Sequence, residues 1–268
     1  MPRLGQPSHS GRSGKNLVTE SVFIQPLPQG VAVGDSVQLT GSEARHSQVK
    51  RIADGEAVIV SDGVDTAVRG TFSAAGVHVS ELLELPQPTP RVTIVQALPK
   101  SDRSELAVDL MVQAGADRII PWAASRCIAR WDKKEDKALA RWEKTAFAAT
   151  KQSRRLVLPE ITGLLRNLTD LPKLVPGLAS PVPTARLGML HEDAGGSFRS
   201  FVESAADVEE IVLVIGPEGG IAPDELTALE GLGGQAVVLG PEVLRTATAG
   251  AVALGAIGAL TDRWGAVG

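Results

Sequence analysis

The sequence holds a single cysteine, Cys127, which excludes an internal disulfide and any zinc site built from several thiolates. Its four histidines, His9, His46, His78 and His191, are scattered, and no His/Asp/Glu group has metal-ligand spacing, so no metal is expected. No uncharged apolar run reaches the roughly eighteen residues that a membrane-spanning helix requires, so no membrane partner is expected. The N-terminal stretch MPRLGQPSHSGRSGK is basic but has no apolar segment, and it does not read as a secretory signal. A reducing, cytoplasmic setting fits these absences. Two nucleotide fingerprints are also missing: there is no GxxxxGK[ST] phosphate loop, and no GxGxxG opens a helix after the first strand of the α/β portion. What is present is ordinary for a globular protein, with 43% hydrophobic and 22% charged residues. A chain of 268 residues can bury one large core or two ordinary ones.

Charge is unevenly spread. The chain carries a net charge of −4, yet the segment 91–155 holds 14 Lys and Arg against 8 Asp and Glu. A basic segment in an acidic protein is the asymmetry expected of a phosphate-facing surface. The stretch WDKKEDKALARWEK reads equally well as a solvated helix with mixed charge at helical spacing.

Residues 1–20 are rich in Ser, Gly and Arg without periodicity and read as a disordered leader. From residue 21 to 86, short β-type runs (VFIQPL, SVQLTG, EAVIVSDG, VHVSELLEL) alternate with Gly-containing turns and one short helix near Glu43–Ile52, which predicts a small β-barrel. The proline-rich LPQPTPR at 85–91 reads as a linker. Residues 87–264 then alternate strands with helices, the pattern of an α/β domain with a mostly parallel sheet. In the helix SDRSELAVDLMVQAG, Asp102 and Glu105 are placed as a capping box and Gly115 as the stop. APDELTALEGLG is a helix with Pro223 in its first turn and Gly231 just past its end. The last helix, TATAGAVALGAIGAL, has almost no side-chain bulk, so it must lie closely against either its own sheet or another subunit.

Three loops follow buried strands: Leu190-His191-Glu192, Gly216-Pro217-Glu218-Gly219-Gly220, and Gly240 to Thr246. In open α/β sheets ligands bind beyond the carboxyl ends of the strands, and glycine lets a backbone approach a ligand closely. Each loop alone reads as an ordinary turn; three in one domain point to a small-molecule site.

These residues also carry a resemblance. IGPEGGIAPDEL (215–226) with LGPEVLRTATA (239–249) resembles the paired motifs GPEGGF…EL and LG..ILR.ETA of the ribosomal RNA small subunit methyltransferase E family. LPKSDRSEL (98–106), SRC (125–127), AATKQSRR with Pro159, and His46-x-x-Val49-x-Arg51 with Gly55 are similar to its other motifs, in order, from about Val22 to Leu260. The departures are Ala247 for a usual Glu, Lys50 for a Leu, and Leu110 and Gln113 where Lys and Glu are common. The resemblance implies a PUA-like β-barrel followed by a SPOUT methyltransferase domain with a C-terminal trefoil knot. It implies S-adenosylmethionine as cofactor, a homodimer, and methylation of uridine N3 in 16S ribosomal RNA, within the assembled small subunit. The cofactor would be held by Leu190, His191, Glu192, Ile215, Gly216, Pro217, Glu218, Gly219, Gly220, Leu239, Gly240, Leu244, Arg245, Thr246, Thr248 and Ala249.

Methyl transfer needs alignment of donor and acceptor more than covalent help. As the N3 proton leaves, the ring oxygens gain negative charge, which Arg245 or Arg126 would stabilise. Glu218 is placed either as the proton acceptor or simply as an acceptor for nearby amides. RNA contacts are expected from His46, Arg51, Lys100, Arg103, Arg126, Gln152, Arg154 and Arg155, with His46 reading equally as an ordinary surface histidine. Two alternatives stay open: a related enzyme acting on another RNA position, and a non-enzymatic RNA-binding protein that kept the fold.

Overall fold

The computed structural model describes residues 20–85, 87–100 and 103–265. Residues 1–19 of the expected leader, Pro86 of the linker, and Asp102 of the expected capping box lie outside the described residues. Glu20, counted with the leader, bonds Arg69 at 2.9 Å and so belongs to the folded part.

The first unit is a five-stranded sheet in the order β1-β3-β4-β5-β2, from β1 (Ser21–Ile24), β2 (Ser36–Val37), β3 (Ala57–Ser61), β4 (Ala67–Ser73) and β5 (Gly76–Leu83). Its outer strands β1 and β2 are bridged by one side chain: Gln25 donates to Gln38 O at 2.8 Å and accepts from Thr40 N at 2.9 Å. Helix α1 (Gly41–Lys50) follows β2. Strands β1 and β3 read as continuous apolar runs because both of their faces are buried. Phe23, Val58 and Val60 face the unit's own core, while Val22, Ile24 and Ile59 meet Leu156, Phe147 and Leu158 of the second unit.

The second unit is a seven-stranded sheet in the order β10-β12-β9-β11-β6-β7-β8. Its strands are β6 (Arg91–Ala97), β7 (Arg118–Trp122), β8 (Glu160–Ile161), β9 (Ala185–Leu190), β10 (Gly196–Ser197), β11 (Glu210–Ile215) and β12 (Gln235–Val238). Every pairing is parallel, which puts strand ends of one polarity on one edge. The helices are α2 (Ser104–Gln113), α3 (Glu135–Gln152), α4 (Leu171–Leu174), α5 (Phe198–Glu203), α6 (Pro223–Gly231) and α7 (Thr246–Leu260).

Helix ends follow the residues closely, with two corrections. Helix α2 begins at Ser104 with no side-chain cap on its N-cap residue, Arg103, and Glu105 instead pairs with Arg141 at 3.4 Å. At its other end Gly115 does stop the helix, at φ +101°, with Ala116 N bonded to Met111 O and Gly115 N to Val112 O. In α6, Gly231 is the last helical residue, and the left-handed stop is Gly233 at φ +81°.

Helix α7 packs mainly on α2 of its own chain and on the turn Asp262–Trp264 that follows it, with smaller contacts to α5, β6 and β11. A Cβ at Gly250 would lie 2.8 Å from Met111 Sδ, and one at Gly258 would lie 2.3 Å from the Trp264 ring. Intrachain packing therefore accounts for two of the small residues. The opposite side, with Val252 and Ala259, stays exposed.

Candidate functional site

Strands β9, β11 and β12 end at Leu190, Ile215 and Val238 on the same edge of the parallel sheet, and the three loops that leave them converge. They enclose a cleft of about 390 Å³, within the usual range for a small-molecule site. Its floor is anchored by backbone bonds: His191 N donates to Val237 O at 3.1 Å, and Gly220 N closes a turn on Pro217 O at 2.9 Å. Thr246 at the start of α7 reaches across to Gly216 O at 3.1 Å, joining the β11 and β12 loops. Gly220 takes φ +73°, which only a residue without Cβ adopts without strain.

Of the expected cofactor residues, Leu190, His191, Glu192, Ile215, Gly216, Pro217, Glu218, Gly220, Leu239, Gly240, Leu244, Arg245, Thr246 and Ala249 line the cleft. Two do not. Gly219 turns toward Arg126, whose Cβ would sit 3.3 Å from a Cβ placed on the glycine. Thr248 returns its hydroxyl to Arg245 O at 3.1 Å on the outer side of α7. Ile221, Val238, Pro241, Glu242 and Val243 also line the cleft. Pro241, Glu242 and Val243 lie within the quoted motif and Ile221 just past GPEGG, so their positions were the available signal. Among the charged lining groups, Glu192, Glu218 and Glu242 outnumber Arg245, giving a field that favours a cationic ligand.

The three catalytic candidates lie together at this end of the sheet. Arg245 lines the cleft. Arg126, on the loop after β7, donates from Nη1 to Gly219 O at 3.1 Å. Glu218 accepts from Lys100 N at 3.4 Å, which also draws Lys100 to the cleft mouth. Arg103 is the N-cap residue of α2, three positions further on.

The remaining RNA candidates lie elsewhere. Gln152 and Arg154 are exposed at the end of α3, beside α1, where Lys151 Nζ bonds Glu43 at 2.6 and 2.9 Å. Arg51 ends α1 at φ +53° and borders a second cleft of about 650 Å³ with Gln48, Asp54 and Phe72. His46 stacks edge-on against Phe23, ring centroids 5.8 Å apart. Burial, together with the Lys151 and Lys50 charges, holds its imidazole below the ordinary pKa, so it is a poor phosphate-pairing cation.

Arg155 requires a correction. Its guanidinium donates to Val112 O at 2.9 Å and Ala116 O at 2.7 Å, and lies 3.6 Å from Asp117. It holds the C-terminal end of α2 and is not offered to a phosphate. The charge argument shrinks as well, because Arg91 and Arg118 pair with Glu160, and Lys151 with Glu43, carboxylates from outside the basic segment.

Glu225 was overlooked. It occupies the third position of α6, where a glutamate reaches back to the N-cap amide, and it accepts from Ala222 N at 3.0 Å and from Ser125 N at 2.7 Å.

Comparison with known proteins agrees with this arrangement. A model of the RNA methyltransferase domain family matches residues 86–258. The ribosomal RNA small subunit methyltransferase E of Mycobacterium bovis is 43% identical over 258 residues, 93% of this chain and 95% of that protein. Its Bacillus subtilis namesake is 29% identical over 90% of this chain and 96% of its own. The crystal structure of a ribosomal RNA small subunit methyltransferase E from Neisseria gonorrhoeae bound to S-adenosyl methionine superposes with a TM-score of 0.74. It is 26% identical and covers 90% of this chain and 98% of its own. The loops that converge on the cleft, the parallel sheet behind them and these relatives agree: the chain belongs to the ribosomal RNA small subunit methyltransferase E family.

Proposed function

We propose that this protein methylates N3 of a uridine in 16S ribosomal RNA, using S-adenosylmethionine held in the cleft between the β9, β11 and β12 loops. The observation that carries this reading is the convergence of fourteen of the sixteen expected cofactor residues on one cleft. The residues suit that cofactor: Leu190, Ile215, Leu239 and Leu244 give apolar walls for an adenine, and Gly240 leaves backbone bare. The excess of carboxylates suits the cofactor's cationic centres. When bound, S-adenosylmethionine supplies an electrophilic methyl group on a sulfonium.

The chain's own residues do the rest. Backbone around Gly216, Gly220 and Gly240 fixes the cofactor's orientation, so that the loss of freedom is met before the reaction. Arg126 and Arg245 stand where a uracil ring would develop negative charge on its oxygens as N3 loses its proton. Glu218, at the cleft mouth, takes that proton. Lys100, Arg103, Arg126, Gln152 and Arg154, with Arg51 and His46 on the first unit, form the RNA-contacting face.

The first unit acts as a PUA-like barrel within residues 21–86, its β1 and β2 edges joined through Gln25. Residues 87–264 form a SPOUT domain with a trefoil knot. Support comes from the path of the chain after β12, at the far side of β9, back to α2 and to the Thr246–Gly216 bond. A homodimer through α7 completes the reading: Val252 (46% exposed) and Trp264 (53% exposed) flank a small-residue face next to the cleft. The protein acts in the cytoplasm, on rRNA within the assembled small subunit.

The test is mass mapping of modified nucleotides in rRNA from a strain lacking the gene, with methylation restored by purified protein and S-adenosylmethionine. Loss and recovery of one N3-methyluridine in 16S rRNA is expected. A modification lost at another nucleotide position or type would replace the substrate assignment, and an unchanged map would overturn it.

A further inference from the structure

We propose that Glu225 is a positioning residue that sets Arg126 beside the reacting base, an inference that rests on the role given to Arg126 above. Glu225 is the third residue of α6, after Pro223 and Asp224. A helix start needs only one carboxylate oxygen, and Oε2 supplies it, accepting from Ala222 N at 3.0 Å. The N-cap residue is alanine, so no reciprocal side-chain bond completes a capping box. The other oxygen leaves the helix altogether. Oε1 accepts from Ser125 N at 2.7 Å, on the loop after β7, one hundred positions earlier in the chain. That distance is typical of a charge-assisted bond.

The two loops touch at one further point, and the β7 loop is braced from within. Arg126 follows Ser125, and its guanidinium donates to Gly219 O at 3.1 Å, on the loop that Glu225 caps. Within the β7 loop Arg130 donates to Ser125 O at 3.1 Å, so the backbone N–H and the backbone carbonyl of Ser125 are both engaged. Glu225, Ser125, Arg126 and Gly219 thus close a ring between the β7 and β11 loops. Within that ring the guanidinium of Arg126 is held at both ends: at its backbone by Glu225, at its tip by the cleft loop. Without the carboxylate, Ser125 N loses its acceptor and the Arg126 backbone is free to move away from Gly219. A misplacement of a few tenths of an ångström to 1 Å is enough to slow a reaction that depends on alignment, by up to about 100-fold.

The shape-matched change is Glu225→Gln, whose amide can accept one of the two N–H groups but presents its own N–H₂ to the other. The experiment is a double-mutant cycle on the full-length protein with rRNA substrate: Glu225→Gln, Arg126→Ala and the double variant, reading kcat, KM for RNA, and S-adenosylmethionine affinity by calorimetry. Glu225→Gln is expected to lower kcat by about 10- to 100-fold while cofactor affinity stays within about threefold. Added to Arg126→Ala, it should cost less than about threefold more, because the group it positions is already gone. Losses that multiply in the double variant, with Arg126→Ala itself impaired, overturn this inference alone. Wild-type turnover in Arg126→Ala overturns the role of Arg126 and this inference with it. If Glu225→Gln folds poorly, hydrogen exchange at the Ser125 amide in Glu225→Asp decides. A shorter carboxylate that leaves Ser125 protected should retain kcat, and one that exposes it should lose kcat; kcat unrelated to that protection overturns the proposal.

Discussion

The hydroxyl of Thr246 donates to the carbonyl of Gly216 across 3.1 Å, and this one bond ties the start of α7 to the turn after β11. Thr246 is only 6% exposed, so the bond is shielded from competing water. Both residues line the cleft. Thr246→Val keeps the volume but removes the donor, leaving a partly buried carbonyl short of a partner. A neutral bond of this kind contributes about 1 kcal/mol, so S-adenosylmethionine should bind roughly 5- to 10-fold more weakly. Thr246→Ser, which retains the hydroxyl, should bind within about twofold of wild type. Calorimetry on the two variants checks this, and equal weakening in both would show that packing rather than the hydroxyl matters.

The glycines of the cleft separate by what they demand of the backbone. Gly220 has φ +73°, so any side chain there strains the turn before a ligand is present, at a cost of about 1–2 kcal/mol. Gly240 has no such φ, and a Cβ there would stand 3.7 Å from a Glu242 carboxylate oxygen, an ordinary contact. Gly240→Val is therefore the clean probe of ligand approach. Its melting temperature should stay within a few degrees of wild type while cofactor affinity falls by more than about tenfold, a loss of about 1.4 kcal/mol. Gly220→Val should lose stability and affinity together. Unchanged cofactor affinity in a well-folded Gly240→Val protein would remove the cofactor from this cleft.

The cleft was readable because two of its loops, after β11 and β12, combine three local signals: an apolar strand, a Gly-Pro step, and a following helix start. Those signals survive in a one-dimensional pattern. The order of the strands does not, since β12 pairs with β9 while β11 lies between β9 and β6, and nothing local records a neighbour so distant. Strand β4 was missed for a related reason. Gly70, where the ladder shifts register, breaks its β-type pattern, yet a Cβ there would lie 2.3 Å from His78 O, so the strand needs the glycine. The small residues of α7 announced close packing but not the partner, which is Met111 for Gly250 and Trp264 for Gly258. Glu225 passed unnoticed inside APDEL, because its bond to Ser125 depends on a loop one hundred residues away.

Arg154 and Arg155 are adjacent in sequence and opposite in role. Arg155 satisfies the carbonyls of Val112 and Ala116 and faces Asp117, and burial lowers its pKa without releasing it from these bonds. Arg155→Ala should destabilise the fold by about 1–3 kcal/mol, the usual result of stranding buried acceptors. Arg154 is exposed, so Arg154→Ala should leave the melting temperature nearly unchanged. It should weaken RNA binding and reduce the slope of log affinity against log salt by about one contact's worth. Thermal unfolding and salt-dependent RNA titration distinguish the two. An unchanged salt slope in Arg154→Ala would show that this residue does not meet the RNA backbone.

Helix α7 carries the last prediction, because intrachain packing explains only one of its sides. Gly250 and Gly258 face Met111 and Trp264, but among the described residues a Cβ at Gly255 would meet only Trp264 Cη2, at 3.6 Å, an ordinary contact. A glycine inside a helix costs roughly 0.5–1 kcal/mol relative to alanine, and among the described residues no close approach requires one at Gly255. Val252, Gly255 and Ala259 lie three and four positions apart, on one face, with the half-exposed Trp264 beside them. An apolar face without bulk suits close approach of an identical face across a two-fold axis. The same helix begins at Thr246 and Ala249 in the cleft wall, so a partner docked on it would also steady the cofactor loops. Val252→Glu places a charge in that contact without touching the chain's own core. The variant should run as a monomer by light scattering at micromolar concentration, keep its far-UV circular dichroism, and bind S-adenosylmethionine at least about tenfold more weakly, a coupling of about 1.4 kcal/mol. A dimer that survives Val252→Glu would move the interface away from α7, and a monomeric wild-type protein with full methylation activity would remove it.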